Sequence, residues 1–364
     1  MIEGVIPTEI AAEPEAIRST LTESLEAARA AAAALRQAGV RRIYVIGNGT
    51  SYHSSLAAAT LYRRHAGPDD PMVIPLTAGE FRTYPPRLGP GDAVLGISAS
   101  GEFRDVVAVV DQLRGRVPTV AVVHVPGSTL DGIADYVVRS AGGVSHVPVM
   151  TKTFAATLVA TELVLVELLG GDRADAIRHE IRLAADHAQA AIEAAEPRVA
   201  ALAAALVGAG HVFVVGSGGA YPAALEAALK LKEMAIVHAE GTESWEMASG
   251  VATIVDASSV VIALAPEGPG RAATLDVVSH AAAWGARVIE VAPRSSIDGA
   301  DLLPIPADAE EDHAALTAVP PVALLAFVLA RRRGYDPDHP GWVERYHSQG
   351  LRHIVGVGPT GKED

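Results

Sequence analysis

Two glycine turns are the part of this sequence best suited to bind an anion. The first, residues 47–49, follows the apolar run 43–46, and the second, residues 216–219, follows the apolar run 212–215. An apolar run that ends at a glycine turn and leads into a helical pattern directs backbone N–H groups and a helix N-terminus towards one point. Two such units predict two related α/β halves.

Hydroxyl groups favour the first half as the anion site. A Thr-Ser pair follows its glycine turn, and Ser98 and Ser100 follow the next predicted strand. The corresponding segment of the second half, residues 265–269, contains two prolines, which lack N–H groups, and Glu267, which would repel an anion. Helix capping is the alternative role for such hydroxyls. Two instances at neighbouring strand ends favour the anion site.

Composition limits the partners and the chemistry. The 364 residues carry a formal charge of −14, which disfavours nucleic acid and anionic membranes as partners. The sequence has no cysteine, so thiolate nucleophiles and cysteine-bound metals are excluded. No signal-peptide pattern opens the sequence, and we expect no run of roughly 20 apolar residues that would span a membrane. The cytoplasm is the expected compartment.

Alternating strand and helix patterns predict an α/β protein with parallel sheets. Within the N-terminal segment, the pattern from Pro14 to about Ala38 predicts one helix that stops at Gly39. The chain is expected to have five parts, in this order: an N-terminal helix in residues 1–38, a first domain with the anion site over 39–171, connecting helices over 172–209 that are interrupted at Pro197, a second domain over 210–334, and a tail over 335–364.

Four motifs resemble the sugar isomerase (SIS) superfamily. The motifs are the Gly-Thr-Ser-Tyr-His of residues 49–53, the Ser-x-Ser-Gly-Glu of residues 98–102, the Thr-Lys-x-Phe of residues 151–154, and the segment 221–240. The likeness is greatest to the isomerase half of glucosamine-6-phosphate synthase and to stand-alone amino-sugar-phosphate deaminases and fructosamine-6-phosphate deglycases. It implies two tandem SIS domains, each a mainly parallel, doubly wound, flavodoxin-like sheet flanked by helices.

The resemblance also implies a site. Its phosphate-binding positions correspond to Gly49, Thr50, Ser51, Ser98, Ala99, Ser100 and Thr151. The family's base, which moves a proton between C1 and C2 of a sugar, corresponds to Glu233. Lys230, on the same face of the predicted helix, would polarise a substrate oxygen, unless this face is only a solvated Glu–Lys surface.

Several positions depart from the family pattern. Ser249 stands where relatives carry a histidine, so another group must supply the acid, and Glu246 is one candidate. The C-terminal lysine of the synthase corresponds to Arg345, which cannot form a Schiff base. Phe103 and Met150 replace hydroxyl residues, so the substrate can carry a phosphate, a sulfonate or a carboxylate, or be an unphosphorylated sugar. The tail is expected to close over the site.

These residues predict an aldose–ketose isomerase, or an amino-sugar deaminase or deglycase, that acts on a six-carbon sugar with an anionic group. The alternative is a non-catalytic sensor of sugar phosphates. A complete synthase is not expected, because the sequence offers neither a glutaminase domain nor its cysteine nucleophile. We expect a homodimer that binds a small-molecule sugar or sugar phosphate. We expect no metal or cofactor, and no nucleic acid or membrane as a partner.

Overall fold

A computed structural model of the chain describes residues 2–348, with side chains up to Arg345. The rest of the predicted tail, residues 349–364, lies outside the described residues. The chain folds into two compact units. The first-sheet unit comprises residues 16–144, 153–180 and 341–348. The second-sheet unit comprises residues 2–15, 145–152 and 181–340.

Each unit contains one parallel five-stranded sheet. The strands are β1 Arg42–Gly47, β2 Met72–Thr77, β3 Asp92–Ser98, β4 Thr119–Val123 and β5 Tyr136–Arg139, then β6 His211–Gly216, β7 Ala239–Glu243, β8 Ser259–Leu264, β9 Arg287–Ala292 and β10 Asp301–Pro304. Their orders, β2-β1-β3-β4-β5 and β7-β6-β8-β9-β10, are the same connectivity used twice. This confirms the predicted doubly wound α/β fold.

Fifteen α-helices and two 3₁₀-helices accompany the strands within residues 2–348. The α-helices are α1 Val5–Ala11, α2 Glu13–Glu23, α3 Leu25–Gln37, α4 Thr50–His65, α5 Ala78–Thr83, α6 Arg104–Leu113, α7 Thr129–Ile133, α8 Lys152–Leu169, α9 Gly171–Leu206, α10 Ala220–Ala235, α11 Ser244–Ser249, α12 Arg271–Ala283, α13 Ala314–Thr317, α14 Val319–Arg332 and α15 Trp342–Ser348. The 3₁₀-helices are Val251–Ile254 and Glu311–His313.

The central strands β3, β4 and β8 are buried along their whole length. Helices cover both faces of a doubly wound sheet. The sequences of its central strands are therefore continuous apolar runs and do not alternate between apolar and polar residues. Each sheet therefore forms the middle layer of its unit, and the polar residues at the carboxyl ends of the strands are left to form sites.

Two predicted helix boundaries were wrong. The single helix expected from Pro14 to Ala38 is two helices, α2 and α3, that meet at the buried Ser24, whose Oγ donates to the carbonyl oxygen of Arg139 over 2.5 Å. Conversely, α9 continues through Pro197. Its buried apolar stripe, mainly Ala and Ile before the proline and Val, Leu and Ala after it, recurs at helical spacing on both sides, and this packing outweighs the missing N–H.

One segment has the length and composition of a membrane span, contrary to expectation. Residues Glu311–Arg332 contain a window with a mean hydropathy of 1.9, and 94% of that window is buried inside the protein. The segment includes α13 and α14, and both helices pack against α10. A core helix of a globular domain has these properties, because its partners are apolar on every side.

Candidate active site

The hydroxyl residues of the first half lie at one edge of the first sheet. β1 and β3 are parallel neighbours, and the strand order reverses between them. Thr50 and Ser51 open α4 directly after β1, and Ser98 and Ser100 lie at the end of β3. The carboxyl ends of parallel strands at such a switch point form the usual ligand crevice of a doubly wound sheet. The structure therefore brings these four residues to the same edge of the first sheet.

Two helices, α4 and α6, begin at this edge of the first sheet. Neither Gly49, before α4, nor Phe103, before α6, supplies a side-chain cap. Gly49 has φ 53° and ψ −127°, a conformation that a side chain would strain. The first-turn N–H groups of a helix carry partial positive charge, which favours an anion at this point.

The serine hydroxyls also hold their own loop. Ser98 Oγ accepts from the N–H of Gly101 over 3.1 Å, and Ser100 Oγ accepts from the N–H of Glu102 over 3.2 Å. The carbonyl oxygen of Ala99 accepts from two N–H groups of the segment after β4. A hydroxyl that accepts through a lone pair still has its proton to donate. The capping role and the anion-binding role are thus compatible.

We expect Ser100→Ala to weaken the binding of a sugar phosphate about tenfold, because a hydrogen bond to a charged group contributes about 1.5–3 kcal/mol. Isothermal titration with glucose-6-phosphate measures this effect. Ser55→Ala is the matched control, because Ser55 Oγ donates to the carbonyl oxygen of Tyr52 within α4. Equal affinities for Ser100→Ala and the unchanged protein would exclude Ser100 from the anion site.

A second polar cluster lies on α10 in the second-sheet unit. Lys230 Nζ lies 3.0 Å from Glu226 Oε1 and donates to Glu233 Oε2 over 2.7 Å. The side chains of Glu226 and Lys230 are 0% and 1% exposed, whereas that of Glu233 is 23% exposed. The solvated-surface interpretation does not hold for Lys230 and Glu226. Of the three groups, Glu233 is the one that solvent reaches.

Two neighbouring carboxylates keep the ammonium group of Lys230 protonated. Burial lowers the pKa of Lys230, but the carboxylates of Glu226 and Glu233 more than offset this and raise the pKa above its ordinary value. A buried cation between two carboxylates fixes their positions, because the hydrogen bonds that it donates are charge-assisted.

A third carboxyl group, which the sequence did not reveal, faces this cluster. Glu13 is 3% exposed at the start of α2. Burial raises its pKa to about 8, Lys230 opposes this increase, and Glu226 and Glu9 add to it. Glu13 therefore carries a proton near neutral pH. A glutamate before a proline is typical of a helix start, so the sequence held no signal of this role.

Stability should depend on the ionisation of Glu13. With an ordinary pKa of 4.5 and a folded-state pKa of about 8, Glu13 binds more protons in the folded chain than in the unfolded chain between these pH values. Its contribution to the free energy of unfolding is complete below pH 4.5 and is lost as pH rises to 8, by up to about 1.4 kcal/mol per pH unit. The Glu13→Gln variant has no carboxyl group at this position, so its free energy of unfolding does not show this decrease.

Urea unfolding of the unchanged protein and of Glu13→Gln between pH 5 and pH 8 tests this prediction. We expect the variant to gain stability relative to the unchanged protein as pH rises. Glu15→Gln, at an exposed position of the same helix, controls for the loss of one carboxylate. A difference between Glu13→Gln and the unchanged protein that stays constant with pH would contradict the prediction.

The remaining predicted phosphate residue, Thr151, belongs to the second-sheet unit. It is buried, and its hydroxyl has no hydrogen-bond partner among the described residues. Glu9 fixes the segment that precedes Thr151, because its carboxylate accepts from the Ser145 hydroxyl over 2.9 Å and from the His146 N–H over 2.7 Å. Lys152 Nζ lies 3.8 Å from the same carboxylate.

Two predicted catalytic residues lie at exposed positions. Glu246 is exposed on α11, and its N–H donates to Glu243, whose carboxylate caps that helix. Arg345 is exposed on α15, in the first-sheet unit. Ser249, at the position of the family histidine, donates its hydroxyl to the carbonyl oxygen of Trp245 over 2.6 Å. Ser249 is therefore engaged within its own helix.

The model of the SIS domain family matches residues 35–167 and again residues 205–331. The chain therefore belongs to the SIS domain family. The two matches contain the two sheets, one in each.

Individual proteins are also similar to this chain. The glutamine–fructose-6-phosphate aminotransferase (isomerizing) of Gloeobacter violaceus is 34% identical over 348 residues, which cover 91% of this chain and 56% of the relative. The chain thus spans about half the length of this relative. Two solved structures share the fold: the C-terminal domain of glucosamine-fructose-6-phosphate aminotransferase from Francisella tularensis (TM-score 0.84, 23% identity, 93% of this chain and 99% of that one) and tagatose-6-phosphate ketose/aldose isomerase from Escherichia coli (0.76, 20%, 93% and 95%).

Proposed function

We propose that this protein is a sugar-phosphate isomerase that interconverts an aldose and a ketose of six carbons. The observation that carries the proposal is the pairing of Glu233, a partly exposed carboxylate, with the buried cation Lys230. An aldose–ketose isomerase needs a carboxylate that is ionised, fixed in place and accessible, and the hydrogen bond from Lys230 together with the partial exposure of Glu233 supports this role. The names of the relatives, which include an isomerizing enzyme and a ketose/aldose isomerase, agree with this reaction.

The proposed reaction is a proton transfer through an enediol. Glu233 removes the proton from C2 of the open-chain aldose, and the electron pair of that C–H bond forms the C1–C2 double bond as the carbonyl oxygen at C1 takes up a proton from water. The Glu233 carboxyl then returns its proton to C1 while the C2 hydroxyl releases its proton to water, and the electron pair of that O–H bond forms the C2 carbonyl of the ketose. Both carbons use one base, so the reaction needs no second carboxylate.

Lys230 acts in this proposal as a positioning residue. Its ammonium group is buried between Glu226 and Glu233, so we do not assign it the contact with a substrate oxygen that the sequence suggested. The hydrogen bond from Lys230 holds the Glu233 carboxylate in one orientation and favours its ionised form.

The first-sheet unit carries a proposed anion site of its own, at the carboxyl ends of β1 and β3. Support comes from the hydroxyls of Ser98 and Ser100 and from the N-termini of α4 and α6, which together suit a phosphate. A deaminase or deglycase would use the same base on an amino sugar, and the experiment below distinguishes these reactions.

Proton NMR of the purified protein in D2O tests the function. The substrates are glucose-, mannose-, fructose- and glucosamine-6-phosphate, together with a fructosamine-6-phosphate and 6-sulfo-glucose. Incorporation of deuterium at C1 or C2, with conversion of aldose to ketose, supports the isomerase. If the only reaction is the release of ammonia from glucosamine-6-phosphate, the protein is a deaminase and not an isomerase. Line broadening without exchange for every sugar would contradict both enzymatic functions and favour the sugar-phosphate sensor.

The expected homodimer stays a prediction.

A further inference from the structure

The second half of the chain contains a carboxylate at the place where the first half offers an anion site. Glu311 is 4% exposed, and its carboxylate accepts from the N–H of Gly270 over 2.6 Å and from the N–H of Gly219 over 3.3 Å. Gly219 precedes α10, and Gly270 precedes α12. One carboxylate therefore receives N–H groups from the starts of two helices.

The position of this carboxylate follows from the repeated topology. α10 follows β6 and α12 follows the loop after β8, and β6 and β8 are the parallel neighbours between which the strand order of the second sheet reverses. The strands β1 and β3 have the same relation in the first sheet. Glu311 thus lies at the switch point of the second sheet, where a doubly wound fold binds its ligand.

The side chain of Glu311 occupies the space that Cβ atoms on the neighbouring glycines would need. A Cβ atom added to Gly218 would lie 1.9 Å from Glu311 Oε1, and one added to Gly268 would lie 2.4 Å from Glu311 Cβ. A Cβ on Gly270 would lie 2.8 Å from Oε2. These contacts are far inside van der Waals distance, so the two glycine loops are built around the carboxylate.

Backbone hydrogen bonds fix the segment that carries Glu311. Its N–H donates to the carbonyl oxygen of Glu267 over 2.8 Å, and the N–H of Glu267 donates to the carbonyl oxygen of Ala309 over 3.3 Å. The side chain of Glu267, which the sequence suggested would repel an anion, instead lies 3.6 Å from Arg271 and 3.8 Å from Arg294.

We infer that the second-sheet unit retains a complete oxyanion-binding cradle, formed by residues 217–219 and 268–270, whose ligand is the carboxylate of Glu311. Once that side chain is removed, the cradle binds a free small carboxylate such as formate. Gly218 and Gly268 are exposed, so an ion can reach the cradle from solvent. The inference does not depend on the reaction proposed above.

Chemical rescue of Glu311→Ala tests the inference. In a buffer without oxyanions, we expect the unfolding equilibrium constant in urea to rise about tenfold, because two helix-terminal N–H groups lose their acceptor. Sodium formate at about ten times its dissociation constant should lower this constant about tenfold, and the effect should increase further with the logarithm of the formate concentration. Fluorescence of Trp245 and Trp284, both in the second-sheet unit, follows the transition. Glu310→Ala, at the exposed neighbouring position, is the control.

Two results would overturn the inference. One is a formate effect that is equal in Glu311→Ala, in Glu310→Ala and in sodium chloride of the same ionic strength; the other is full stability of Glu311→Ala without formate. If this variant does not fold, the unchanged protein provides the test. We expect its Gly219 and Gly270 amide resonances to stay in place during a titration with inorganic phosphate, because Glu311 fills the cradle. A saturable shift of both resonances would refute the assignment.

Discussion

We expect Glu233→Gln to lower the rate of C1–C2 proton exchange by about 10²–10⁴-fold while the affinity for the sugar phosphate changes little. A glutamine amide cannot accept the proton from carbon, whereas its carbonyl oxygen can still accept the hydrogen bond from Lys230. The position of the side chain is thus preserved while its basicity is lost. The effect belongs in the rate constant rather than in binding, because the base acts on the substrate only in the transition state.

Deuterium incorporation measured by NMR gives the exchange rate of this variant, and isothermal titration gives its affinity. Glu193→Gln, at an exposed position of α9, is a control for the purification and for the removal of one carboxylate. Exchange by Glu233→Gln at the rate of the unchanged protein would transfer the role of base to another residue. A loss of affinity in parallel with the rate would instead assign Glu233 to sugar binding.

Lys230→Met should lower the free energy of unfolding by about 3–5 kcal/mol, because it leaves the carboxylate of Glu226 buried without its cation. Glu226 is 0% exposed, so water cannot replace the lost ammonium group. The matched control is Lys232→Met on the exposed face of the same helix, for which we expect a change within about 0.5 kcal/mol. Urea unfolding at pH 7 measures both values.

The double variant Lys230→Met, Glu226→Leu separates a charge effect from a packing effect. If the uncompensated carboxylate causes the loss, the removal of both charges restores most of the stability, since apolar residues of similar volume replace a buried ion pair at little cost. A double variant that is less stable than Lys230→Met would contradict this explanation and assign the loss to the packing of the lysine side chain.

The sequence was sufficient for the fold class, because the central strands β3, β4 and β8 are largely apolar runs and each glycine turn marks a strand that leads into a helix. It did not reveal the polar edge strand β7, Ala-Glu-Gly-Thr-Glu. It was also sufficient for the α10 cluster, since the spacing of Glu226, Lys230 and Glu233 places them on one face of any helix. Such signals are local, and local patterns are the ones that a single sequence contains.

The residues that the sequence did not reveal act through contacts between distant parts of the chain. Glu13 meets Lys230 across more than two hundred residues, and its raised pKa comes from burial, which no spacing encodes. Glu311, at the start of the 3₁₀-helix Glu311–His313, meets Gly219 and Gly270 from a distant part of the chain. Ser24, at the junction of α2 and α3, donates its hydroxyl to the carbonyl oxygen of Arg139, more than one hundred residues away. These contacts exist only after the chain has folded.

The internal carboxylate of the second sheet has an evolutionary consequence. After the duplication of an ancestral unit, a copy that carries its own anion no longer depends on residues that would recruit one from solvent. Such a copy is free to exchange hydroxyl residues for others, and Pro266 and Pro269 stand where the first copy has a serine-rich loop. The first copy keeps hydroxyl residues at the equivalent strand end, although both halves have one strand order.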